Sequence, residues 1–398
     1  MKVTHVIGTL SDGGAEIMLY RLLSQTDNTR VESRVISLRD VIEPWGIRLR
    51  DMGIPVQTLG LEKSAPNPIS IVRLARMLRK DPPDVVQTWM WHSDLIGGLA
   101  AKLAGGIPVA WGVHSSGLEH QSAKRTTVWA SQLCSATSSW LPERIVCCAE
   151  SSRRAHGKMG YPPEKMRVIY NGFDLSQFKP DPSARPSVRG ELGVDSDTLL
   201  IGMMGRFDAP KDHRNFIRAA ALLRKLMPGV EFVLCGMNVD RHNETLNRWI
   251  REAGVHDCFH LLGRRADVPR ITAALDVASL SSSYGEAFPL VLGEAMACGV
   301  PCVTTDVGDS AVIVGDTGCV APPRDPVALA ESWMEILEMS PEGRAALGRS
   351  ARRRIKENFD LSDTVLRYEE LYTEMSLAKR TPADDANSAN RERRSVAY

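Results

Sequence analysis

No charge of either sign dominates this chain. Among its 398 residues, 49 Lys and Arg face 48 Asp and Glu, and the net charge is only +1. That balance argues against a dedicated nucleic-acid binder, which needs a basic surface to hold phosphates. No run approaches the roughly 18 apolar residues that a membrane-spanning helix requires. The opening Met1-Lys2-Val3-Thr4-His5-Val6-Ile7-Gly8 is too short and too soon polar for a secretion signal, and reads as a buried strand. The eight cysteines contain no C-x-x-C pair and no zinc spacing. Most lie in apolar runs such as Ile145-Val146-Cys147-Cys148-Ala149, where cysteine acts as a small hydrophobe. Reduced structural thiols in a cytoplasmic protein are the expectation. No G-x-G-x-x-G opens a helix after the first strand, which disfavours a nicotinamide-linked dehydrogenase. No cluster of acids or histidines offers a divalent-metal site, and nothing repeats at a short period.

What is present is an alternation. Apolar runs of strand length fall at 2–8, 31–38, 84–88, 107–113, 144–149 and 166–170, then at 198–204, 230–236, 258–262, 277–281 and 300–305. Helical periodicity separates them, among other places at 15–25, 68–80, 121–138, 212–227, 289–298 and 326–339. This predicts an α/β fold of parallel sheets with helices on both faces. The pattern runs twice. Between 179 and 197 comes Lys179-Pro180-Asp181-Pro182-Ser183-Ala184-Arg185-Pro186-Ser187, whose prolines cannot continue a helix or a central strand. A linker is expected there, between domains at 1–178 and 198–360. Two doubly wound domains would then face one another across a cleft, with ligands at the carboxyl ends of the strands. Leu361, Val365, Leu366, Tyr368, Leu371 and Tyr372 predict a last helix over 361–375. The polar stretch 376–398 lacks periodicity and reads as a disordered tail.

The stretch from Ser281 to Pro301 carries the most chemistry. A strand ends near Ser281, a loop holds Glu286, and Pro289 falls in the first turn of a helix, where its missing N–H costs nothing. Glu294 lies about 7–8 Å further along that helix axis, at roughly 1.5 Å per residue. A helix N-terminus offers free N–H groups and a positive dipole end to an anion. Carboxylates flanking it cannot bind phosphate, but they suit the hydroxyls of a sugar or ribose. On this spacing alone, a surface Glu286 and a solvated Glu294 are equally good readings. A second segment shifts the balance. Gly205-Arg206-Phe207-Asp208-Ala209-Pro210-Lys211-Asp212 follows the first strand of the second half. Its glycine admits a ligand close to the backbone, and Arg206 and Lys211 would hold a diphosphate together with the helix at 289.

These motifs make the chain resemble a family 4 retaining glycosyltransferase of the GT-B fold. The E-x7-E element of that family is matched by Glu286 and Glu294, and its Glu-Ala-Met-Ala-x-Gly-x-Pro run by 294–301. Its Gly-Arg-Phe/Leu-x-x-x-Lys loop is matched at 205–212, its Gly-Gly-Ala-Glu at Gly13 to Glu16, and its Asn-Gly-x-Asp at Asn171 to Asp174. The likeness covers roughly residues 2 to 375. One departure is Asp306-Val307-Gly308-Asp309, where many relatives have a Gly-Gly-x-x-Glu turn; the phosphate contacts that the resemblance implies for that loop would then fall to Gly308 and Asp309, if the loop makes them.

The resemblance implies roles. Arg206 and Lys211 would neutralise the donor diphosphate, Glu294 would hold the donor ribose, and Glu286 a hydroxyl of the transferred sugar. The backbone at Phe288, Pro289 and Leu290 would touch that sugar and its phosphate, while Gly13 and Gly14 would close over the phosphates from the other domain. Arg264 would approach the nucleotide base. His114, at the end of the Pro108–Val113 run, would lie at the cleft mouth by the reacting sugar without being a general base. In the family mechanism the acceptor attacks from the face the leaving phosphate departs, and that phosphate takes its proton. No cofactor and no metal are implied beyond the nucleotide-diphospho-sugar donor. The carboxyl-terminal domain would bind that donor, and the amino-terminal domain a glycan or lipid-linked glycan acceptor of cell-surface polysaccharide synthesis. The last helix would cross back onto the first domain.

Residues 71–167 hold 13 Lys and Arg against seven Asp and Glu. Ile71 to Lys80 is a basic amphipathic helix, and Lys124, Arg125, Trp129, Trp140 and Leu141 mix basic and aromatic residues. Such features can seat a protein peripherally on an anionic membrane, here the inner face of the cytoplasmic one. An ordinary solvated helix face reads equally well. Trp89-Met90-Trp91-His92 follows another strand, where the rings either line the acceptor cleft or pack. Two rivals remain: a nucleotide-sugar epimerase of similar architecture, which needs acid/base carboxylates elsewhere, and a catalytically degenerate subunit of a glycan-assembly complex. The intact Arg206, Lys211, Glu286 and Glu294 argue against the second.

Overall fold

In the computed structural model, which describes residues 1–11, 13–62, 68–117 and 125–379, the alternation resolves into two parallel sheets. The first contains β1 (Lys2–Ile7), β2 (Glu32–Ser37), β3 (Val56–Thr58), β4 (Val85–Trp89), β5 (Val109–Val113), β6 (Arg144–Cys147) and β7 (Met166–Val168). Its order is β3-β2-β1-β4-β5-β6-β7. The second contains β8 (Leu199–Met204), β9 (Val230–Cys235), β10 (Phe259–Leu261), β11 (Val277–Leu280), β12 (Cys302–Thr305) and β13 (Gly318–Ala321), in the order β10-β9-β8-β11-β12-β13. Strand pairing is parallel throughout both, with Ile7 opposite Trp89 and Val277 opposite Ile201 at the two reversals of order. Each sheet is covered on both faces, so β4 and β5 are buried along their whole length. Phe216, Phe232 and Trp333 fill one side of the second sheet. The fold is the expected pair of doubly wound α/β domains.

Two strands escaped the sequence reading, β3 and β13, which are three and four residues long. The proline-rich stretch also differs from expectation. It contains a helix, Ala184–Leu192, with Pro186 in its first turn, where no intrahelical hydrogen bond is lost. Arg189 from that helix is buried and donates to Asp276 Oδ2 at 2.7 Å, which ties the segment to the second sheet.

The last helix, Leu361–Lys379, runs past the expected end at 375, and 380–398 lie outside the described residues. Leu361, Val365, Tyr368, Leu371, Tyr372 and Met375 form one stripe at i, i+3, i+4 spacing. They share a core with Val3, Ile7, Met18 and Leu22 of the first half. Each fully buried apolar side chain there contributes roughly 1.5–3 kcal/mol. Glu374 accepts from Arg144 at 2.6 Å and from Arg167 at 2.9 Å. The chain thus leaves the first sheet, builds the second, and returns. All eight cysteines are unpaired, and seven are buried.

Candidate functional site

In a doubly wound sheet, the loops on either side of the point where strand order reverses splay apart and leave a crevice at the carboxyl ends. In the second sheet that point lies between β8 and β11. The loop after β8 carries Lys211, and the loop after β11 carries Glu286. Their side chains meet: Lys211 Nζ donates to Glu286 Oε1 at 2.6 Å, and Ser282 Oγ donates to the same oxygen at 2.6 Å. Both charged groups are largely buried.

The loops are fixed by their own backbone. Ser283 N–H donates to Pro210 O, and Ser281 Oγ to Lys211 O. Asp212 turns the chain through φ 46°, ψ 54° and caps the helix His213–Leu226 by accepting from Asn215 N–H. A neighbouring loop presses on the first: a Cβ at Gly236 would lie 2.1 Å from Gly205 O, so no other residue fits. Gly308, at φ 66°, likewise backs directly onto Glu286 O. The loop holding Glu286 is therefore packed from behind and faces the crevice.

Pro289 sits one position earlier than expected. It is the N-cap of the helix Leu290–Ala297, and no side chain caps that end. Phe288 is buried against Tyr170, Phe173 and Phe359, so only its backbone is available to a ligand. Leu290 packs against the cores of both halves. Glu294, on the same helix, is met from the other half by Arg21, whose Nη2 donates to Oε1 at 2.5 Å.

Arg206 and Lys211 have separate partners. Arg206 is exposed, and its Nε donates to Asp208 Oδ2 at 3.0 Å. Arg264 follows β10 and is exposed, two loops away from Lys211, while Arg265 beside it is committed to Asp267 and Glu191. Asp195-Ser196-Asp197, an Asp-x-Asp run, precedes β8 and so lies at the opposite end of the sheet. Among the described residues no group of three His, Cys, Asp or Glu stands together to hold a metal ion.

On the first sheet, Gly13 is the extended N-cap of the helix Gly14–Gln25, after β1. A Cβ at Gly13 would strike the Glu16 carboxylate, whereas Gly14 has open space around it. His114 follows β5. Its ring stacks on Trp89, centroids 4.9 Å apart, and neither ring nitrogen has a partner. Burial lowers its pKa to about 4, so the imidazole is neutral near pH 7. Trp89 in turn donates to His5 Nδ1 at 3.3 Å. Trp89 and Trp91 are packed in cores and do not line an open cleft.

The two halves also touch elsewhere. Asp309, fully buried, accepts from Glu150 N–H at 2.7 Å and Ser151 N–H at 2.9 Å. It caps the helix Glu150–Lys158 of the first half, so its carboxylate is occupied there and is not turned to a phosphate. Ser151 Oγ donates to Ala287 O, and Phe173 N–H to Phe359 O. Sequence reasoning missed Arg21 and Ser282 outright, and gave Asp309 a different task. Arg21 did leave a signal: a lone charge beside Leu22, on the face that also carries Met18, where an apolar residue was due.

Comparison with known proteins agrees with this architecture. Residues 12–177 match the family model described as Glycosyltransferase Family 4, and residues 184–354 match Glycosyl transferases group 1. A UDP-Gal:alpha-D-GlcNAc-diphosphoundecaprenol alpha-1,3-galactosyltransferase of Escherichia coli is 26% identical over 322 residues, covering 78% of this chain and 80% of that one. A D-inositol 3-phosphate glycosyltransferase of Saccharomonospora viridis is 31% identical over 48% of this chain and 46% of its own length. The crystal structure of Anabaena Alr3699/HepE with UDP and glucose superposes with a TM-score of 0.82 at 22% identity, over 94% of this chain and 100% of that one. With both family models matched in order, one on each half, the chain belongs to the family 4 glycosyltransferases of the GT-B fold.

Proposed function

We propose that this glycosyltransferase retains anomeric configuration, needs no metal ion, and moves a sugar from a nucleotide-diphospho-sugar to a glycan or lipid-linked glycan in cell-surface polysaccharide synthesis. The observation that carries this reading is the pairing of Lys211, Glu286 and Ser282 where strand order reverses, next to an uncapped helix N-terminus. As the nucleotide leaves, charge grows on its diphosphate. Lys211 and the N–H groups at Leu290 would stabilise that charge without reorganising. Glu286 would accept from a hydroxyl of the transferred sugar, and Glu294 from the ribose. Arg206, exposed on its loop, would swing from Asp208 to the phosphates, and Arg264 would approach the base. Gly13 and Gly14 would close over the phosphates from the first domain. Neutral His114 would flank the anomeric centre without taking the acceptor's proton, which the departing phosphate receives.

The Escherichia coli relative is named for a UDP-sugar donor and a diphosphoundecaprenol-linked acceptor, and the Anabaena structure holds UDP and glucose. Both support a nucleotide-sugar donor here, and the first supports a lipid-linked acceptor. No helix among the described residues is long and apolar enough to cross a membrane. Peripheral contact is supported by three adjacent helices of the first domain. Pro68–Lys80 exposes Ile69, Val72, Arg76 and Lys80, while Arg125–Thr137 exposes Trp129 and Leu133, with Trp140 just beyond. Helix Trp91–Leu103 lies between these two and exposes Lys102 and Leu103.

The test is a donor screen with UDP-, GDP-, ADP- and TDP-sugars, reading nucleoside diphosphate release and thermal stabilisation. One donor should stabilise the protein and be turned over, and Lys211→Ala and Glu294→Ala should abolish both effects. Isomerised nucleotide sugar formed without an acceptor would replace this reading with an epimerase.

A further inference from the structure

Arg21 is a cation buried between the two domains. It belongs to the helix Gly14–Gln25 of the first domain, and its side chain is only 6% exposed. Nη2 donates to Glu294 Oε1 at 2.5 Å, and Glu294 itself is 12% exposed. The guanidinium carbon stands 5.6 Å from the Phe178 ring centroid, which restrains the plane. The other terminal nitrogen, Nη1, is buried and has no acceptor. A desolvated guanidinium N–H left without a partner is more costly than an ordinary hydrogen bond is favourable. Such groups are uncommon in folded proteins and call for a functional reason.

We propose that Arg21 completes the ribose site of the donor from the opposite domain, with Glu294 accepting the protons of the ribose diol and Arg21 Nη1 donating to a hydroxyl oxygen of that diol. This rests on the reading of Glu294 as the ribose residue. A hydroxyl has one proton to donate and two lone pairs that accept, so a carboxylate alone satisfies only one side of it. The ion pair need not break. One N–H occupies one of about four acceptor positions on a carboxylate, and the others remain for hydroxyl protons. The diol is then held by groups from both domains. A nucleotide without its 2′-hydroxyl would leave both Arg21 and Glu294 short of a partner, and sites built to hydrogen-bond a hydroxyl reject analogues that lack it.

The experiment compares UDP with 2′-deoxy-UDP, and the matching ADP and GDP pairs, by calorimetry on the full chain. The wild type, Arg21→Met, Arg21→Lys, Glu294→Gln and the double variant Arg21→Met/Glu294→Gln are used, each first checked by thermal melting. The double variant leaves no unpaired charge between the domains, so a folding loss in either single variant is recognised. For the base that binds, the wild type should prefer the ribonucleotide on the order of 100-fold. Arg21→Met should reduce that preference to about tenfold or less by weakening the ribonucleotide alone. Arg21→Lys, which keeps the charge but lacks the fork, should restore melting temperature without restoring the preference. A full preference in Arg21→Met, with its loss in Glu294→Gln, overturns the role of Arg21 and leaves Glu294 in place. Tighter binding of both nucleotides by Arg21→Met would make Arg21 a competitor of the donor and also overturn it. If Glu294→Gln keeps the preference, or no nucleotide binds the wild type, the ribose reading of Glu294 falls as well.

Discussion

The carboxyl edges of the two sheets are built from different materials. On the second, charged groups are paired and held in place: Lys211 and Ser282 on Glu286, with glycines packed behind the loops. On the first, the corresponding loops lead to neutral or unpartnered polar groups in an aromatic setting, His114 on Trp89 and Trp89 on His5. On the proposed reading, the difference matches what each edge would hold. A diphosphate is a fixed polyanion and calls for preorganised charge. A sugar reacting through a cation-like transition state gains from a neutral, polarisable wall, and a fixed positive charge there would raise the barrier.

The contrast breaks most visibly at Lys211. Lys211→Met removes the ammonium and leaves Glu286 without its cation, and kcat/KM should fall on the order of 1000-fold. Steady-state nucleoside diphosphate release measures this, with melting curves to confirm folding. A loss below about tenfold would mean that the diphosphate is neutralised elsewhere. His114→Ala should cost on the order of 100-fold in kcat with the donor KM little changed. Because burial holds its pKa at about 4, the ring stays neutral from pH 5.5 to 8 and should impose no limb on the profile. A limb near pH 6.5 that disappears in His114→Ala would show a solvated, titrating imidazole, and the two edges would no longer differ as argued.

The buried carboxyl of Asp94 tests whether the first edge is truly dry. It lies beneath that edge, accepts from Thr88 Oγ1 at 2.5 Å, and has no partner at Oδ2. Burial raises its pKa to about 7, against weaker opposing effects of hydrogen bonds from Thr88 and the Gly112 backbone. The folded state thus favours the neutral acid. Stability is intact below the ordinary carboxylate range and declines as pH rises towards 7, by up to about 1.4 kcal/mol per pH unit, or tenfold in the unfolding equilibrium. Above 7 the loss levels off. Urea unfolding between pH 4 and 8 should show this decline in the wild type and a flatter line in Asp94→Asn. Equal slopes would mean that water reaches Asp94.

The outer face of the first domain gives a smaller effect. Trp129 is 70% exposed and Trp140 53% exposed, and exposed Arg125 stands one helical turn before Trp129. Replacing both with serine should weaken sedimentation with vesicles of anionic phospholipid about fivefold, while activity on a soluble acceptor is unchanged. Equal sedimentation of wild type and variant would make these rings ordinary surface residues.

The alternation of apolar runs was sufficient for the fold, because parallel strands buried on both faces read as unbroken apolar stretches. It failed for β3 and β13, which have too few residues to form a pattern, and at Pro186, which is harmless in a first helical turn. Lys211, Glu286 and Glu294 could be picked out as candidates because they stand in dense local motifs beside glycines. The contacts of Arg21 and Asp309 were not legible, because their partners are 273 and about 158 positions away along the chain. Only the return of the last helix and the meeting of the two domains bring those groups together. A spacing argument works within one loop and helix, and has no purchase on contacts made across the cleft.

The smallest expected effect bears on the largest. If Lys211 and the helix end at Leu290 carry the leaving charge, chelation should change turnover by no more than about twofold, measured as product formed with EDTA or with added magnesium. Among the described residues no group of three His, Cys, Asp or Glu stands together. A diphosphate can still bring a cation of its own, held by phosphate oxygens and water. In that case EDTA would abolish turnover, magnesium would restore it, and the charge assigned to Lys211 would be shared with the incoming ion. Lys211→Met would then lose far less than 1000-fold at saturating magnesium, and more as magnesium is withdrawn. The two measurements are therefore one test: a large lysine effect with a negligible chelator effect assigns the work to the protein, and the reverse assigns it to the substrate's counterion.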